Sequence, residues 1–177
     1  MARKRRGKTQ PTIYLDANVI SAMSYRGRSI FGLAQRATTL DWWESERDHF
    51  RAVALAVTAE ELADGVYAGQ RQAIRFAGRL PFLPITKAVQ RCASELIEDS
   101  LVPSSKPGDA LHLALAMVHR VDCLVSWNHA HLVNAAVADA LSQFAARRNY
   151  DAPILVSPNT IPQVRYGQEL RRRRDDS

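Results

Sequence analysis

Four short apolar runs, separated by segments with helical patterning, constrain the fold of this chain more than any other feature of its sequence. The runs cover residues 12–15, 52–57, 123–125 and 154–156. The second run, AVALAV, contains no polar residue, which is typical of a strand buried on both faces. Short strands that alternate with helices predict an α/β fold with a central, mainly parallel sheet flanked by helices.

Helical segments are predicted between these runs. One begins soon after Asp16, and the next is expected to start at a cap on Thr38 or Thr39. Asp109 is expected to open a long apolar helix, and further helices are predicted at 58–67, 69–78, 86–99 and 134–147. Because ligands bind beyond the carboxyl ends of parallel strands, the residues that follow each strand are the candidates for a functional site.

The length of the chain, 177 residues, predicts one domain. We expect this domain to span residues 11–165, between a basic tail at 1–10 and a charged tail at 166–177. The net charge of +6 lies mostly in these ends, since residues 9–168 hold 15 basic and 15 acidic side chains. Basic ends of this kind either hold phosphate backbones or extend as solvated tails, and charge alone leaves both interpretations open.

The composition excludes several classes of protein. No apolar run approaches the roughly 18 residues that a membrane helix needs, and the basic start MARKRRGK is not followed by an apolar signal core. Two cysteines, Cys92 and Cys123, are too few for a disulfide framework. We therefore expect a cytoplasmic protein without membrane contact, in which both thiols are reduced and buried. The absence of a Gly-rich turn after the first strand disfavours a nucleotide-binding Rossmann protein.

Acidic side chains follow the predicted strands. Asp16 ends the first strand, Glu61 lies four residues past the second, and Asp109 begins a helix after a Pro-Gly turn. If these segments reach one edge of the sheet, their carboxylates repel each other unless a cation neutralises them. Oxygen ligands favour Mg²⁺ or Mn²⁺ over Zn²⁺. Together with the basic ends, this pattern indicates metal-dependent hydrolysis of phosphodiester bonds.

Each of these acidic residues also has a purely structural interpretation. Asp16 and Asp109 both stand where a helix N-cap is expected. Residues 58–61, TAEE, have the form of a capping box in which Glu61 bonds back to the backbone of Thr58. His112 lies one turn beyond Asp109, where it could face the site, and we favour its interpretation as a hydrogen-bonded core histidine.

Four segments, in this order, resemble the motifs of PIN domains, and the resemblance covers residues 12–160. Residues 13–20, IYLDANVI, resemble the opening motif, an apolar strand followed by D-x-N. The other three segments resemble the E-L-x-x-G segment, the third motif and the fourth motif, and they are 61–65 (ELADG), 109–114 (DALHLA) and 124–128 (LVSWN) with His131 and Leu132. The group that the chain resembles most is the VapC-like toxins of bacterial type II toxin–antitoxin systems.

The resemblance implies a PIN fold and a Mg²⁺- or Mn²⁺-dependent endoribonuclease that hydrolyses RNA. It also implies a frequent homodimer and a cognate antitoxin protein encoded beside the toxin. The metal ligands of the family map onto Asp16, Glu61 and Asp109. Asn18 would orient the Asp16 carboxylate or a water on the metal, and Ser126 would support the same ligands.

The chain departs from the family pattern at the fourth acidic position. It offers Asn128 and His131 there, and neither is an anion at neutral pH. One negative charge fewer is expected to weaken a second metal site. A catalytically weak or silent PIN-fold module that binds RNA or a protein partner therefore stands as the alternative to an active ribonuclease.

Overall fold

The computed structural model describes residues 10–64 and 66–161. Its centre is a sheet of five parallel strands in the order β3-β2-β1-β4-β5. The strands are β1 (Thr12–Leu15), β2 (Arg51–Leu55), β3 (Phe82–Leu83), β4 (Cys123–Val125) and β5 (Ile154–Val156). The predicted α/β class with a mainly parallel central sheet is confirmed.

Seven helices of the described residues connect and flank these strands. They are α1 (Ala17–Met23), α2 (Ile30–Glu46), α3 (Ala56–Ala63), α4 (Gln70–Ala77), α5 (Lys87–Glu98), α6 (Pro107–Val118) and α7 (Ala135–Arg148). A short 3-10 helix, Arg47–His49, leads from α2 into β2. Every strand is thus separated from the next by helical structure, which is the arrangement that a parallel sheet requires.

Strand β1 lies in the middle of the sheet, and its carboxyl end carries Asp16, the first of the predicted site residues. It pairs with β2 on one side, where Ile13 stands opposite Ala52, and with β4 on the other side, where Leu15 stands opposite Val125. Because β1 and β4 end at the same level, Asp16 and Ser126 follow them side by side. The backbone N–H of Asp16 donates to the carbonyl of Val125 at 3.1 Å, which continues the ladder to this edge.

The alternation of side chains along β1 divides the core into two layers. Tyr14 belongs to the layer that contains Leu113 of α6 and Phe144 of α7. Ile13 and Leu15 belong to the opposite layer, with residues of α1, α2 and α4. Since successive strand residues point to opposite faces, the aromatic ring of Tyr14 is directed towards α6.

Several helix boundaries differ from those predicted, namely the start of α2, both ends of α3 and the start of α6. Helix α2 begins at Ile30 rather than near Thr39, and Thr39 lies inside it, with its hydroxyl donating to the carbonyl of Gln35 at 2.6 Å. The predicted cap was wrong because Ile30 and Phe31 are 87% and 71% exposed, so the first turns lack the apolar stripe of a packed helix.

The second strand ends earlier than predicted, at Leu55, and residues 56 and 57 form the first turn of α3. The Thr58 hydroxyl accepts from the backbone N–H of Leu55 at 3.3 Å, which turns the chain into the helix. Strand β3 was not predicted, because two residues between Pro81 and Pro84 carry no periodic pattern.

Cys92 and Cys123 are buried thiols that form no disulfide, as predicted. Burial raises the pKa of the Cys92 thiol to about 11, so the thiol is protonated at neutral pH. Within the residues that the structure describes, no helix is long and apolar enough to cross a membrane. The predicted tails at 1–10 and 166–177 fall, apart from Gln10, outside the described residues, and the limits 11–165 stay a prediction.

We expect Asn134→Ala to destabilise the protein by about 1 kcal/mol, because Asn134 caps α7. Its side chain accepts from the backbone N–H of Val137 at 2.9 Å and donates to the carbonyls of His129 and Ala130. Urea unfolding measures the change. Ser29→Ala, which removes a longer cap contact of 3.5 Å to Gly32, is the control with a smaller expected loss. Equal losses in the two variants would contradict this assignment.

Candidate functional site

A cleft of about 360 Å³ opens at the carboxyl edge of the sheet. Its lining includes all three predicted carboxylates, Asp16, Glu61 and Asp109, together with Asn18 and Asn128. These residues come from the ends of β1 and β4 and from α1, α3 and α6. The convergence expected from the sheet-edge rule is therefore present in the fold.

Asp16 is the most enclosed of the three carboxylates, with 4% of its surface exposed. Its Oδ2 accepts from the Ser126 hydroxyl at 2.5 Å and from Asn18 Nδ2 at 2.7 Å. Asp16 is the N-cap residue of α1, as its structural interpretation predicted, but its side chain makes no capping hydrogen bond to the helix. Burial raises the pKa of this carboxyl above its usual range, although nearby His112 and the Ser126 hydrogen bond act in the opposite direction.

Asn18, Ser126 and Asn128 form a hydrogen-bonded frame behind Asp16. Asn18 Nδ2 also donates to Ser126 Oγ at 3.0 Å, and Asn18 Oδ1 accepts from the backbone N–H of Trp127 at 2.9 Å. Ser126 Oγ accepts from the backbone N–H of Asn128 at 2.9 Å. The frame joins the start of α1 to the segment after β4, and it fixes the direction of the Asp16 carboxylate.

Glu61 enters the cleft from α3 and is the more exposed carboxylate, with 41% of its side chain accessible. Its Oε1 lies 3.0 Å from Nε2 of His112. The capping-box interpretation of Glu61 is wrong. At the N-terminus of α3, the Thr58 side chain accepts a hydrogen bond from the backbone N–H of Leu55, and Glu61 takes no part in the cap. The acidic residue of that sequence pattern is used for a tertiary contact.

His112 is a core residue and a site residue at once. Only 3% of its surface is exposed, yet it lines the cleft. Its Nδ1 lies 2.5 Å from the hydroxyl of Tyr14, which is 3.2 Å from the hydroxyl of Thr58. Burial alone would lower the pKa of His112, but the hydrogen bond to Glu61 and the neighbouring carboxylates outweigh it and raise the pKa.

Asp109 lies in the first turn of α6, where the helix dipole favours a negative charge. It is not the N-cap, which is Lys106, so that alternative is also wrong. Its Oδ1 accepts from Asn128 Nδ2 at 3.3 Å. The neighbour of Asp109 on this side of the cleft is therefore the neutral amide of Asn128 and not a further carboxylate.

The donor atoms fit a hard divalent cation. Asp16, Glu61 and His112 each offer one ligand atom within 4.8 Å of the others, and Asp109 lines the same cleft outside this group. A set dominated by carboxylate oxygens is the one that Mg²⁺ and Mn²⁺ prefer. These residues therefore fit the predicted ion.

His131 takes a smaller part than its place in the sequence pattern predicts. Its backbone N–H donates to Asn128 Oδ1 at 3.1 Å, and the residue is exposed. Its side chain is not part of the cleft lining. The fourth position is therefore represented by Asn128 alone.

We expect Ser126→Ala to weaken Mn²⁺ binding about tenfold, because residues that orient metal ligands contribute at this level. The change removes the donor to Asp16 and the acceptor for Asn18 and the N–H of Asn128. Isothermal titration with Mn²⁺ measures the affinity. Ser142→Ala, at an exposed position on α7, is the control, and unchanged affinity in Ser126→Ala would refute the assigned role.

Comparison with known proteins supports the architecture. No protein-family model matches the sequence, and no curated protein does. A chain of the crystal structure of VapBC2 from Rickettsia felis, bound to a DNA fragment from their promoter, superposes with a TM-score of 0.50 at 13% identity. The match covers 82% of this chain and 98% of that chain. At this identity the likeness concerns the fold, and it shows that the chain has a PIN-like fold.

Proposed function

We propose that this protein is a metal-dependent endoribonuclease that hydrolyses RNA phosphodiester bonds. The observation that carries the proposal is the meeting of Asp16, Glu61 and Asp109 in one open cleft at the carboxyl edge of the sheet. A purely structural set of acids would be satisfied by caps or basic partners. Within residues 10–64 and 66–161, the side-chain donors to Asp16 and Asp109 are instead neutral, and Glu61 pairs with a histidine.

Asp16, Glu61 and Asp109 would hold Mg²⁺ or Mn²⁺. When bound, such an ion supplies positive charge to a phosphate and lowers the pKa of a nearby water. Asp16 is held in one direction by Ser126 and Asn18, so it provides a rigid anchor. Glu61 is more exposed, and its second oxygen is available to accept a proton from an attacking water.

Asn128 supports a site with one tightly held ion. Its amide stands beside Asp109 where the family pattern has an acid, which removes one negative charge from the cleft. A second ion would then join only together with the substrate phosphate. The neutral amide is also a hydrogen-bond donor for a phosphate oxygen.

The proposal is tested by incubating a single-stranded RNA and a DNA of the same sequence with the purified protein in Mg²⁺, Mn²⁺ or chelator. We expect internal cleavage of the RNA with either ion and none in chelator. Cleavage of the DNA alone would assign the same site to a deoxyribonuclease. If neither the RNA nor the DNA is cleaved under any of these conditions, the proposal is wrong.

Asn128 also favours a second candidate function, a catalytically silent PIN-fold module that binds RNA or a protein partner. The missing fourth charge weakens the cleft as a metal site, and a silent module needs none. A thermal melt with Mn²⁺ separates the two candidates. The ribonuclease is stabilised by the ion, whereas a silent module melts at the same temperature with and without it.

We further propose that the protein acts in the cytoplasm as the toxin of a type II toxin–antitoxin pair, as a homodimer with a cognate antitoxin. The fold likeness to a chain of the VapBC2 structure supports this placement. Co-expression with the product of any small open reading frame that adjoins the gene tests it. We expect a stable complex with reduced RNA cleavage, and independent elution of the two proteins would contradict the pairing.

A further inference from the structure

We propose that Tyr14 and His112 are positioning residues that hold the Glu61 carboxylate in the cleft. This inference rests on the proposed function and adds two residues to the site. It follows from a buried hydrogen-bonded chain that joins β1, α3 and α6 and ends at Glu61. Neither residue was singled out for function by the sequence analysis.

The chain of contacts has a consistent direction. The backbone N–H of Leu55 donates to Thr58 Oγ1, whose hydroxyl lies 3.2 Å from the Tyr14 hydroxyl. The Tyr14 hydroxyl lies 2.5 Å from His112 Nδ1, and His112 Nε2 lies 3.0 Å from Glu61 Oε1. With a neutral imidazole, each hydroxyl donates to the next acceptor, and Nε2–H donates to the carboxylate.

The role does not depend on the charge of His112. In an imidazolium both nitrogens donate, so Nδ1–H would donate to the Tyr14 oxygen while Nε2–H still donates to Glu61. In both forms the carboxylate receives a hydrogen bond from a ring that cannot turn. The rings of His112 and Tyr14 also lie nearly parallel, with centroids 5.7 Å apart and planes at 18°.

Burial makes this chain a rigid support for an exposed group. Tyr14 and Thr58 are fully buried and His112 is 3% exposed, whereas 41% of the Glu61 side chain is accessible. A long side chain on a helix surface samples several rotamers unless a contact selects one. The hydrogen bond from His112 selects the rotamer that directs Glu61 towards Asp16.

The same geometry argues that His112 is not itself a metal ligand. One of its ring nitrogens lies within 4.8 Å of a carboxylate oxygen of Asp16 and of Glu61, close enough to share an ion with them. However, Nδ1 is engaged by Tyr14 and Nε2 by Glu61, so both ring nitrogens already have partners. A ligand role would require breaking the contact that holds Glu61.

The test compares the variants Tyr14→Phe, His112→Leu and His112→Gln with the unmodified protein. Tyr14→Phe keeps the aromatic ring and removes one oxygen, and Tyr150→Phe, which packs against the same core layer but does not line the cleft, is its matched control. We expect Mn²⁺ affinity to fall about 10-fold to 100-fold in His112→Leu and less in Tyr14→Phe. His112→Gln, which retains an N–H donor, is expected to recover part of the affinity, and Tyr150→Phe to bind as the unmodified protein does.

A double-mutant cycle with Glu61→Gln asks whether His112 acts through Glu61. If it does, His112→Leu changes Mn²⁺ affinity little once Glu61 has lost its charge. Additive losses in the double variant would overturn the proposal, as would full affinity in both Tyr14→Phe and His112→Leu.

Electron spin-echo spectroscopy of bound Mn²⁺ gives an independent readout. We expect no coupling to a histidine nitrogen, and a coupling that disappears in His112→Leu would assign His112 as a ligand and overturn the proposal. These measurements use the metal alone. They therefore decide the positioning role even if RNA is not the substrate, whereas loss of RNA cleavage with normal Mn²⁺ binding would count against the proposed function only.

Discussion

Asp109→Asn is expected to lower Mn²⁺-dependent RNA cleavage by more than about 100-fold. Changes to residues that merely orient metal ligands cost 10-fold to 100-fold, so the loss of a direct ligand exceeds that range. Asp109 is well suited to the test because its amide analogue keeps the size of the side chain and its place in the first turn of α6. Asp16→Asn is expected to have an effect of the same order.

The measurement is the initial rate of RNA cleavage at saturating Mn²⁺, with circular dichroism to confirm folding. Asp139→Asn, an exposed carboxylate of α7, is the matched control and is expected to leave the rate unchanged. Cleavage by Asp109→Asn or Asp16→Asn at the rate of the unmodified protein would remove those residues from the proposed site.

Asp16→Asn is expected to affect stability with opposite signs in chelator and in Mn²⁺. In chelator we expect a gain of about 0.5–2 kcal/mol, in the range of other stabilising substitutions. Burial raises the pKa of Asp16 in the folded protein. A proton on Asp16 therefore stabilises the folded protein. This contribution to the free energy of unfolding is fully present below the pKa that Asp16 has in the unfolded chain, and it is lost as the pH rises through its pKa in the folded protein. The asparagine does not suffer this loss.

The sign reverses when Mn²⁺ is present. At about 100 times its Kd, the ion stabilises the unmodified protein by roughly 2.7 kcal/mol, and we expect Asp16→Asn to gain almost none of this. Thermal melts of the unmodified protein and the variant at one fixed pH, in chelator and in Mn²⁺, measure both signs. A variant that is less stable than the unmodified protein in chelator would contradict the argument from the buried charge of Asp16.

The meeting of the three carboxylates could be predicted because it depends only on which residues follow the strands of a parallel sheet. Asp16 directly follows a strand, and a parallel sheet brings its carboxyl ends to one edge whatever the details of packing. Asp109 follows the same logic through its place at the start of a helix. Sequence patterns that encode direction and spacing along one element are sufficient for this part of the site.

The contact of Glu61 with His112 could not be predicted in the same way. The residues are 51 positions apart, and the local capping-box pattern around Glu61 indicated a different partner. A signal was nevertheless present in Tyr14, a phenol in an otherwise apolar buried strand, which requires a hydrogen-bond partner in the core. The start of α2 could not be predicted for another reason. Its first apolar residues are exposed and do not form an amphipathic stripe.

The position of β1 between β2 and β4 has a consequence for synthesis on the ribosome. The hydrogen bond from Ser126 to Asp16 spans 110 residues, and that from Tyr14 to His112 spans 98. A nascent chain with only its first hundred residues outside the exit tunnel carries Asp16 and Glu61 but neither Asp109 nor Ser126. The central strand must wait for its second neighbour, so the cleft is complete only after β4 and Ser126 have left the exit tunnel.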